Sequence, residues 1–333
     1  MNTEDLRAVV GAAVRAPSVH NSQPWRFASH RTEAGDLDGV DVFADPGRAL
    51  GVIDPHGREL HISCGAATEF ARIAARNLGQ ACSVQLVADP ASPEHIAFIE
   101  IGPPEPPTTE ELALARALAT RYTERDRFDD RPVPSDVVEE LRRAAASSGS
   151  WVRVLDKPGD EVTTAVLLAH ADDLERANPQ YERELASWYR TEPDAADGIP
   201  SSTLPTTPVT DRASSFRLRN FDLSEHTAKA PASGGDPPAA EHPLVVILGT
   251  EGDDRRSWLQ AGQALGRLLL RAAADGVSAS PMTQVLEVPA TREMLARQLG
   301  LLGHPQMVLR MGYGLGTGHP QAPRRPIADV LTS

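Results

Sequence analysis

Residues 16–27 read A-P-S-V-H-N-S-Q-P-W-R-F, and the fold turns on what this stretch does. An apolar pattern of helical period leads into it, with Leu6, Val9, Val10, Ala13 and Val14 on one face of a predicted helix over Glu4–Ala16 that Thr3 is placed to cap. Pro17 stops that helix, because it has no N–H to donate and its ring crowds the preceding turn. Ser18 can bond local backbone groups. Asn21 and Gln23 each carry two N–H donors and one carbonyl acceptor. Pro24 biases Gln23 towards an extended conformation, and Trp25 supplies a large apolar anchor. The stretch is either an ordinary helix stop running into a strand or a turn that offers fixed donors and acceptors to a flat heteroaromatic ligand.

Outward from this turn, Trp25–Ala28 and Asp41–Ala44 read as strands, and the D-P-G-R and D-P-H-G of Asp45–His56 as turn chemistry. Glu59–Leu78 is a strong helix, with Leu60, Ile62, Cys64, Ala67, Phe70, Ile73 and Ala74 on a broad apolar face and Gly79 as its stop. Ser83–Ala88 and His95–Ile101 alternate as strands, Gly102–Thr108 is a proline-rich joint, and Glu110–Thr120 is a helix. The pattern then restarts. Ser135–Ala146, read as capped by Ser135, repeats the first helix, and Ala146–Val154 keeps a small-polar turn, a Trp and an Arg but lacks the Asn, Gln and Pro. Trp258–Gly276 repeats the long helix, with Gly262 beneath Gly65 and Gly276 beneath Gly79, and Ser278–Met282 resumes in extended form. Leu244–Gly249 and Gln306–Met311 read as further strands. This is a two-fold internal duplication, or else the chance likeness of Ala-rich helices.

Within the second copy, Thr191–His242 is too polar and too rich in Pro and Gly for a core element, and a loop of this length is commonly a functional lid or a disordered insert. The lid is the favoured reading, with a short helix at Asp211–Phe221 inside it.

Composition narrows the classes. The 333 residues suffice for two domains or one large one, and 41% hydrophobic with 24% charged is ordinary for a globular chain. A net charge of −13 with no basic run argues against nucleic acid and against an anionic membrane surface. No stretch approaches a transmembrane span, and the acidic M-N-T-E-D-L start does not read as a signal peptide, so a cytoplasmic location is expected. Cys64 and Cys82 read as reduced thiols, and no metal site is expected. The G-Y-G-L-G-T-G from Gly312 fails as a dinucleotide fingerprint, since no helix or acidic residue follows at the required distance.

Phosphate ligands are easier to find. In R-Y-T-E-R, Arg121, Thr123 and Arg125 alternate, so an extended backbone points all three the same way, and two guanidiniums with a hydroxyl suit a phosphate. A solvated charged turn is the competing reading.

The opening stretch resembles the P-S-x-x-N-x-Q-P-W element of the FMN-dependent nitroreductase superfamily, and most closely its divergent actinobacterial branch, the Acg-like NAD(P)H nitroreductases. Arg121, Thr123 and Arg125 match the family's R-x-[ST]-x-[RK] element. Arg324 and Arg325 of P-R-R-P match the basic pair that follows a G-Y strand end, here Met311–Gly314. Ser280, Pro281 and Met282 of S-A-S-P-M-T-Q match the segment that family members run beneath the flavin near N5. The resemblance covers nearly the whole chain apart from the Thr191–His242 insert.

What the resemblance implies is an α+β nitroreductase-like fold made of two fused halves, 1–108 and 109–333, each with a mixed or antiparallel sheet flanked by helices. The Asn-Gln turn occurs only in the first half, and the Arg-Thr-Arg, S-P-M-T and P-R-R-P elements only in the second. One composite site per chain is therefore expected, in an intramolecular pseudo-dimer that is a monomer or at most a weak homodimer. The resemblance implies FMN as cofactor, with NADH or NADPH as electron donor and a nitroaromatic or quinone-like small molecule as acceptor. Arg121, Thr123, Arg125, Arg324 and Arg325 would hold phosphate. Pro17, Ser18, Asn21 and Gln23 would address the ribityl chain and ring edge, with His20 a hydrogen-bonding spacer beside them, and Ser280, Pro281 and Met282 would lie near N5. No side chain is required as a catalytic acid, because the flavin carries the chemistry. Two rivals stand beside this. One is a flavin-storing protein whose lid blocks nicotinamide. The other is a different flavin enzyme on the same fold, deiodinase-like or flavin-fragmenting.

Overall fold

The computed structural model describes residues 1–87, 91–192, 194–203, 243–315 and 321–332. Its first helix, α1 (Thr3–Ala13), starts one residue earlier than the sequence predicts. Asn2 is the cap: its side chain accepts from the Asp5 N–H at 2.8 Å, and the Asp5 carboxylate accepts from the Asn2 N–H at 3.1 Å. Thr3, the predicted cap, is already helical. The helix stops at Ala13 rather than Ala16, because the last turn tightens to i→i+3 bonds from Arg15 N–H to Ala12 O and from Ala16 N–H to Ala13 O.

Next come β1 (Trp25–Arg31), β2 (Leu37–Ala44), α2 (Arg58–Asn77), β3 (Gln80–Leu86), β4 (His95–Pro104) and α3 (Thr109–Thr120). Then follow α4 (Ser135–Ala146), β5 (Trp151–Val154), α5 (Pro158–Arg176), α6 (Pro179–Trp188), the two-residue strands β6 (Tyr189–Arg190) and β7 (Ile199–Pro200), and β8 (Leu244–Thr250). The chain closes with α7 (Arg255–Ala274), β9 (Ser278–Pro281), α8 (Gln284–Glu287), α9 (Pro289–Gln298), β10 (His304–Gly312), α10 (Ile327–Val330) and β11 (Leu331–Thr332). α4 spans the predicted range, but extended Pro134 precedes it and gives no side-chain cap, so Ser135 is its first helical residue instead. No element was predicted over 158–188, where α5 and α6 stand. Val162 and Val166 on α5 are 63% and 62% exposed, so apolar residues ring that helix instead of marking one face. The short helix expected at Asp211–Phe221 and most of the Thr191–His242 lid lie outside the described residues.

Two main sheets result, in the orders β11-β1-β2-β4-β3 and β5-β8-β10-β9, antiparallel throughout except where β11 joins β1 in parallel. The second sheet is buried on both faces, as its unbroken apolar runs require. Val246, Leu248, Leu309 and Met311 face α7 and α4, whereas Val245, Ile247 and Val308 face the layer of α5, α8 and α9. The first sheet packs Phe27, Val40, Val42, Ile96 and Ile99 around α1 and α2. The long helices α2 and α7 lie against one another between the sheets, and the glycines the sequence pairs meet there, since a Cβ built on Gly65 would stand 2.9 Å from the Gly262 Cα. Gly79 and Gly276 end these helices at φ +77° and +75°.

Both cysteines are free thiols, and burial pushes Cys82 up to about 12 and Cys64 higher still, so neither is a ready nucleophile. Among the described residues there is no His/Cys/Asp/Glu cluster fit for a metal and no helix long and apolar enough to cross a membrane.

Candidate functional site

Three residues of the turn between α1 and β1 have left-handed backbone: His20 at φ 45°, Asn21 at 53° and Gln23 at 49°. Each such non-glycine costs on the order of 1 kcal/mol and persists only where its surroundings fix it. The Ser18 hydroxyl accepts from the Gln23 N–H at 3.0 Å, and the Val19 N–H donates to Ser63 Oγ of α2 at 3.1 Å. The Asn21 amide donates to Gly198 O at 3.0 Å and Pro323 O at 3.1 Å. The Gln23 amide donates to Ala196 O at 2.9 Å, and its carbonyl accepts from the Arg325 N–H at 2.8 Å. Two short polar side chains thus tie the turn to the start of the 191–242 insert and to the C-terminal tail. Asp197, also at the start of that insert, pairs with Arg48 and Arg190, whose guanidiniums stand 5.5 and 5.6 Å from the Trp188 ring.

Arg121 leaves α3 in extended backbone. Thr123 then bridges Ala279 of β9, and the Glu124 N–H donates to Ala279 O at 3.0 Å. This pairing holds the Arg-Thr-Arg segment alongside the strand that carries Ser280 and Pro281.

A cavity of about 330 Å³ opens where these parts meet, within the range of small-molecule sites. Pro17, Ser18, His20 and Asn21 line it together with Arg121, Thr123, Arg125, Ser280 and Pro281. The two long helices and β10 contribute Ile62, Leu265 and Met307 as an apolar patch, and the described end of the insert adds Ile199 and Thr203. Arg15 and Arg324 close the basic end.

The charges of that end lack ion-pair partners among the described residues. The Arg15 carbonyl accepts from Arg121 Nη2 at 3.1 Å and from Arg324 Nη2 at 3.3 Å, which draws the guanidiniums together. Arg324 Nη1 also donates to Asn21 Oδ1 at 3.0 Å. No carboxylate pairs with Arg15, Arg121, Arg125 or Arg324 among the described residues. Burial, and behind it repulsion from Arg324, Arg15 and Arg125, lowers Arg121 to about 9. Burial likewise brings Arg125 to about 10, with Glu124 opposing the fall, and burial with repulsion from Arg15 and Arg125 does the same for Arg324. The guanidiniums still carry their charge at neutral pH. Nε of Arg121 and Nε of Arg324 are buried without a hydrogen-bond partner. A cluster of like charges with spare donors suits a multivalent oxyanion.

Of the thirteen residues the sequence proposes, ten reach this cavity. Gln23, Met282 and Arg325 do not line it. Gln23 is fully buried with its amide engaged within the chain. Met282 packs in the core beneath β10, and Arg325 donates to Gln23 O at 3.1 Å and Asp329 O at 3.0 Å. Sequence reasoning missed Glu59, which lines the cavity and pairs with Arg58 at 2.8 Å, and also missed Arg15, Tyr122, Ile62, Leu265, Gln284 and Met307. Arg15 adjoins the quoted stretch and Tyr122 sits inside the R-Y-T-E-R element, so both were legible beside residues already singled out; the others are ordinary helix or strand positions until the fold brings them together.

The model of the nitroreductase family matches residues 118–313. "Putative NAD(P)H nitroreductase Rv3131" of Mycobacterium tuberculosis is 34% identical over 99% of this chain and 92% of its own length. "Putative NAD(P)H nitroreductase acg" of the same organism is 30% identical over 99% of this chain and 96% of its own length. The crystal structure of the FMN-dependent nitroreductase NfnB from Mycobacterium smegmatis in complex with NADPH aligns over 67% of this chain and 98% of its own, with 16% identity and a TM-score of 0.40.

Proposed function

The chain belongs to the nitroreductase family, and from that premise we propose that it is an FMN-binding oxidoreductase that takes electrons from NADH or NADPH and passes them, two at a time, to a nitroaromatic or quinone-like acceptor. The observation that carries this is the group of guanidiniums, buried Arg121 with half-buried Arg125 and Arg324, that no carboxylate pairs with among the described residues. An FMN phosphate would supply the missing charge, held by those three with the Thr123 hydroxyl. The ribityl chain and ring would then lie between Pro17–Asn21 and Ser280–Pro281, over Ile62, Leu265 and Met307. When bound, the flavin supplies hydride acceptance and donation; the protein's part is to hold it, keep water away and leave one face open.

The division into fused halves, 1–108 and 109–333, belongs to the same proposal. The Gly65–Gly262 contact between matching helices supports it, as does a cavity lined from both halves. One FMN per chain is the expected stoichiometry. The test is the visible spectrum of the purified protein, or of the protein incubated with FMN, followed by flavin quantitation after denaturation. One flavin per chain that bleaches on anaerobic addition of NADPH meets the proposal, whereas a protein that takes up no FMN ends it.

A second reading, flavin storage with little turnover, is favoured by one observation: Ala196–Thr203 is already packed over the turn, with Ile199 and Thr203 in the cavity wall. Slow or absent bleaching by NADPH in a protein that holds FMN tightly would select it.

A further inference from the structure

Gln284 is the second residue after the Pro281–Met282 pair and opens α8. It is 2% exposed, it is among the residues that line the cavity, and its Nε2 is buried without a hydrogen-bond partner. The backbone around it is rigid. The Met282 N–H donates to Val308 O at 2.8 Å, which ties the loop to β10, and the Leu286 N–H donates to Thr283 O at 2.7 Å within the turn of α8. Ser63 and Glu59, also in the cavity wall, are engaged elsewhere. Ser63 Oγ donates to Glu59 O at 2.7 Å while accepting from the Val19 N–H, and Glu59 is paired with Arg58. The Gln284 amide is different, because an amide N–H that has left water without gaining an acceptor is costly in the protein alone. Such a donor, on a residue that lines the cavity with Met307, is what a ligand acceptor would satisfy.

We propose that the Gln284 carboxamide is a specificity-determining hydrogen-bond donor for a carbonyl-type oxygen on the planar ring bound in this cavity. The inference rests on the flavin reading above and deepens it. Both the flavin and a quinone acceptor carry such an oxygen, and in both it gains electron density on reduction, so the bond strengthens as charge arrives. The donor therefore favours oxygen-bearing ring systems over apolar ones of the same shape.

The experiment compares the parent protein with Q284L, which keeps volume and loses the donor, and with Q284N, which keeps an amide on a shorter stem. FMN affinity is read by titrating apo-protein, the flavin midpoint potential by anaerobic reductive titration, and KM and kcat with menadione under NADPH. If the partner is the flavin, Q284L lowers the potential and weakens FMN binding at least fivefold. If the partner is the electron acceptor, Q284L leaves affinity and potential unchanged and raises the menadione KM at least fivefold. In either case Q284N restores part of the loss. FMN affinity, potential and menadione KM all within twofold of the parent, in a Q284L protein that melts at or above the parent temperature, would make Gln284 an internal orphan and overturn the inference while sparing the flavin reading. A parent that takes up no FMN overturns both.

Discussion

Arg121 illustrates how far a single residue can be read from sequence. Its alternation with Thr123 and Arg125 marked it as a phosphate ligand, but alternation cannot tell a buried cluster from a solvated turn. The decision comes from Arg15 and Arg324, whose positions are 106 and 203 residues away in the chain. The cluster makes a prediction with two opposite signs. Arg121→Met removes a buried charge from among like charges, so the apo-protein should gain stability, seen as a higher Tm. The same change should weaken FMN binding at least tenfold, since a hydrogen bond to a charged group contributes about 1.5–3 kcal/mol. Calorimetry of the apo-protein and FMN titration read the two effects; a variant that loses stability and keeps its FMN affinity would make Arg121 structural. Asn21 and Gln23 show the converse limit. Their amides were legible as exceptional, but their partners, Gly198, Pro323, Ala196 and Arg325, are brought in by the fold, so the bracing role was not.

Elements were legible where one face is apolar and a local residue ends the repeat. α2 and α7 satisfy both conditions, with Gly79 and Gly276 behind them, and were predicted within a few residues. α5 has a stop in Asn178–Pro179 but lacks a single apolar face, and β11 is too short to carry a period. The start of α3 holds a pH-dependent device that the sequence hints at through Thr108 and Glu111. The pair forms a capping box, and Glu111 also takes Arg76 at 2.8 Å. The hydrogen bond from Arg76, helped by those of Thr108, lowers the Glu111 carboxyl from 4.5 to about 2. A carboxyl depressed in the folded state stabilises above its unfolded value and ceases to do so as pH falls through the folded one. Between pH 4.5 and 2 the parent should therefore lose stability that Glu111→Gln has already lost, and the two unfolding curves should converge. At pH 7 the variant should be less stable by about 2 kcal/mol, because Arg76 is buried and keeps only its carbonyl partners and Glu105. Parallel curves across the window would show that Glu111 does not titrate as described. A second element-scale prediction concerns the anchored start of the insert. Asp197→Ala removes the partner of Arg48 and Arg190, so FMN dissociation should quicken several-fold in stopped-flow exchange while Tm changes little; an unaltered off-rate would leave the anchor without a role at the cavity.

At the scale of the molecule, site and architecture depend on one close approach. Gly65 and Gly262 were matched by sequence because each sits in a long Ala-rich helix, yet the match alone could not say that they touch. In the structure they do, and the consequence reaches the cavity: Ile62, one turn before Gly65, and Leu265, one turn after Gly262, form its apolar patch together with Met307. A Cβ at Gly65 would overlap the Leu259 carbonyl oxygen and crowd the Gly262 Cα, both of which are helix backbone and cannot rotate aside. Gly65→Ala must therefore push α2 and α7 apart, at a cost of about 1–3 kcal/mol for overpacking. Separating the helices also moves Ile62 away from Leu265, so FMN affinity should fall together with stability. Gly276→Ala is the matched control: its φ of +75° strains an alanine by about 1–2 kcal/mol, but nothing lies within 4 Å of the added Cβ, so stability should drop with FMN affinity kept. Chemical denaturation and FMN titration of the two variants separate the cases. If Gly65→Ala loses stability and binds FMN as the parent does, the helix crossing supports the fold without shaping the site. If both properties fall only in Gly65→Ala, the cavity's width is set by the contact between the two long helices.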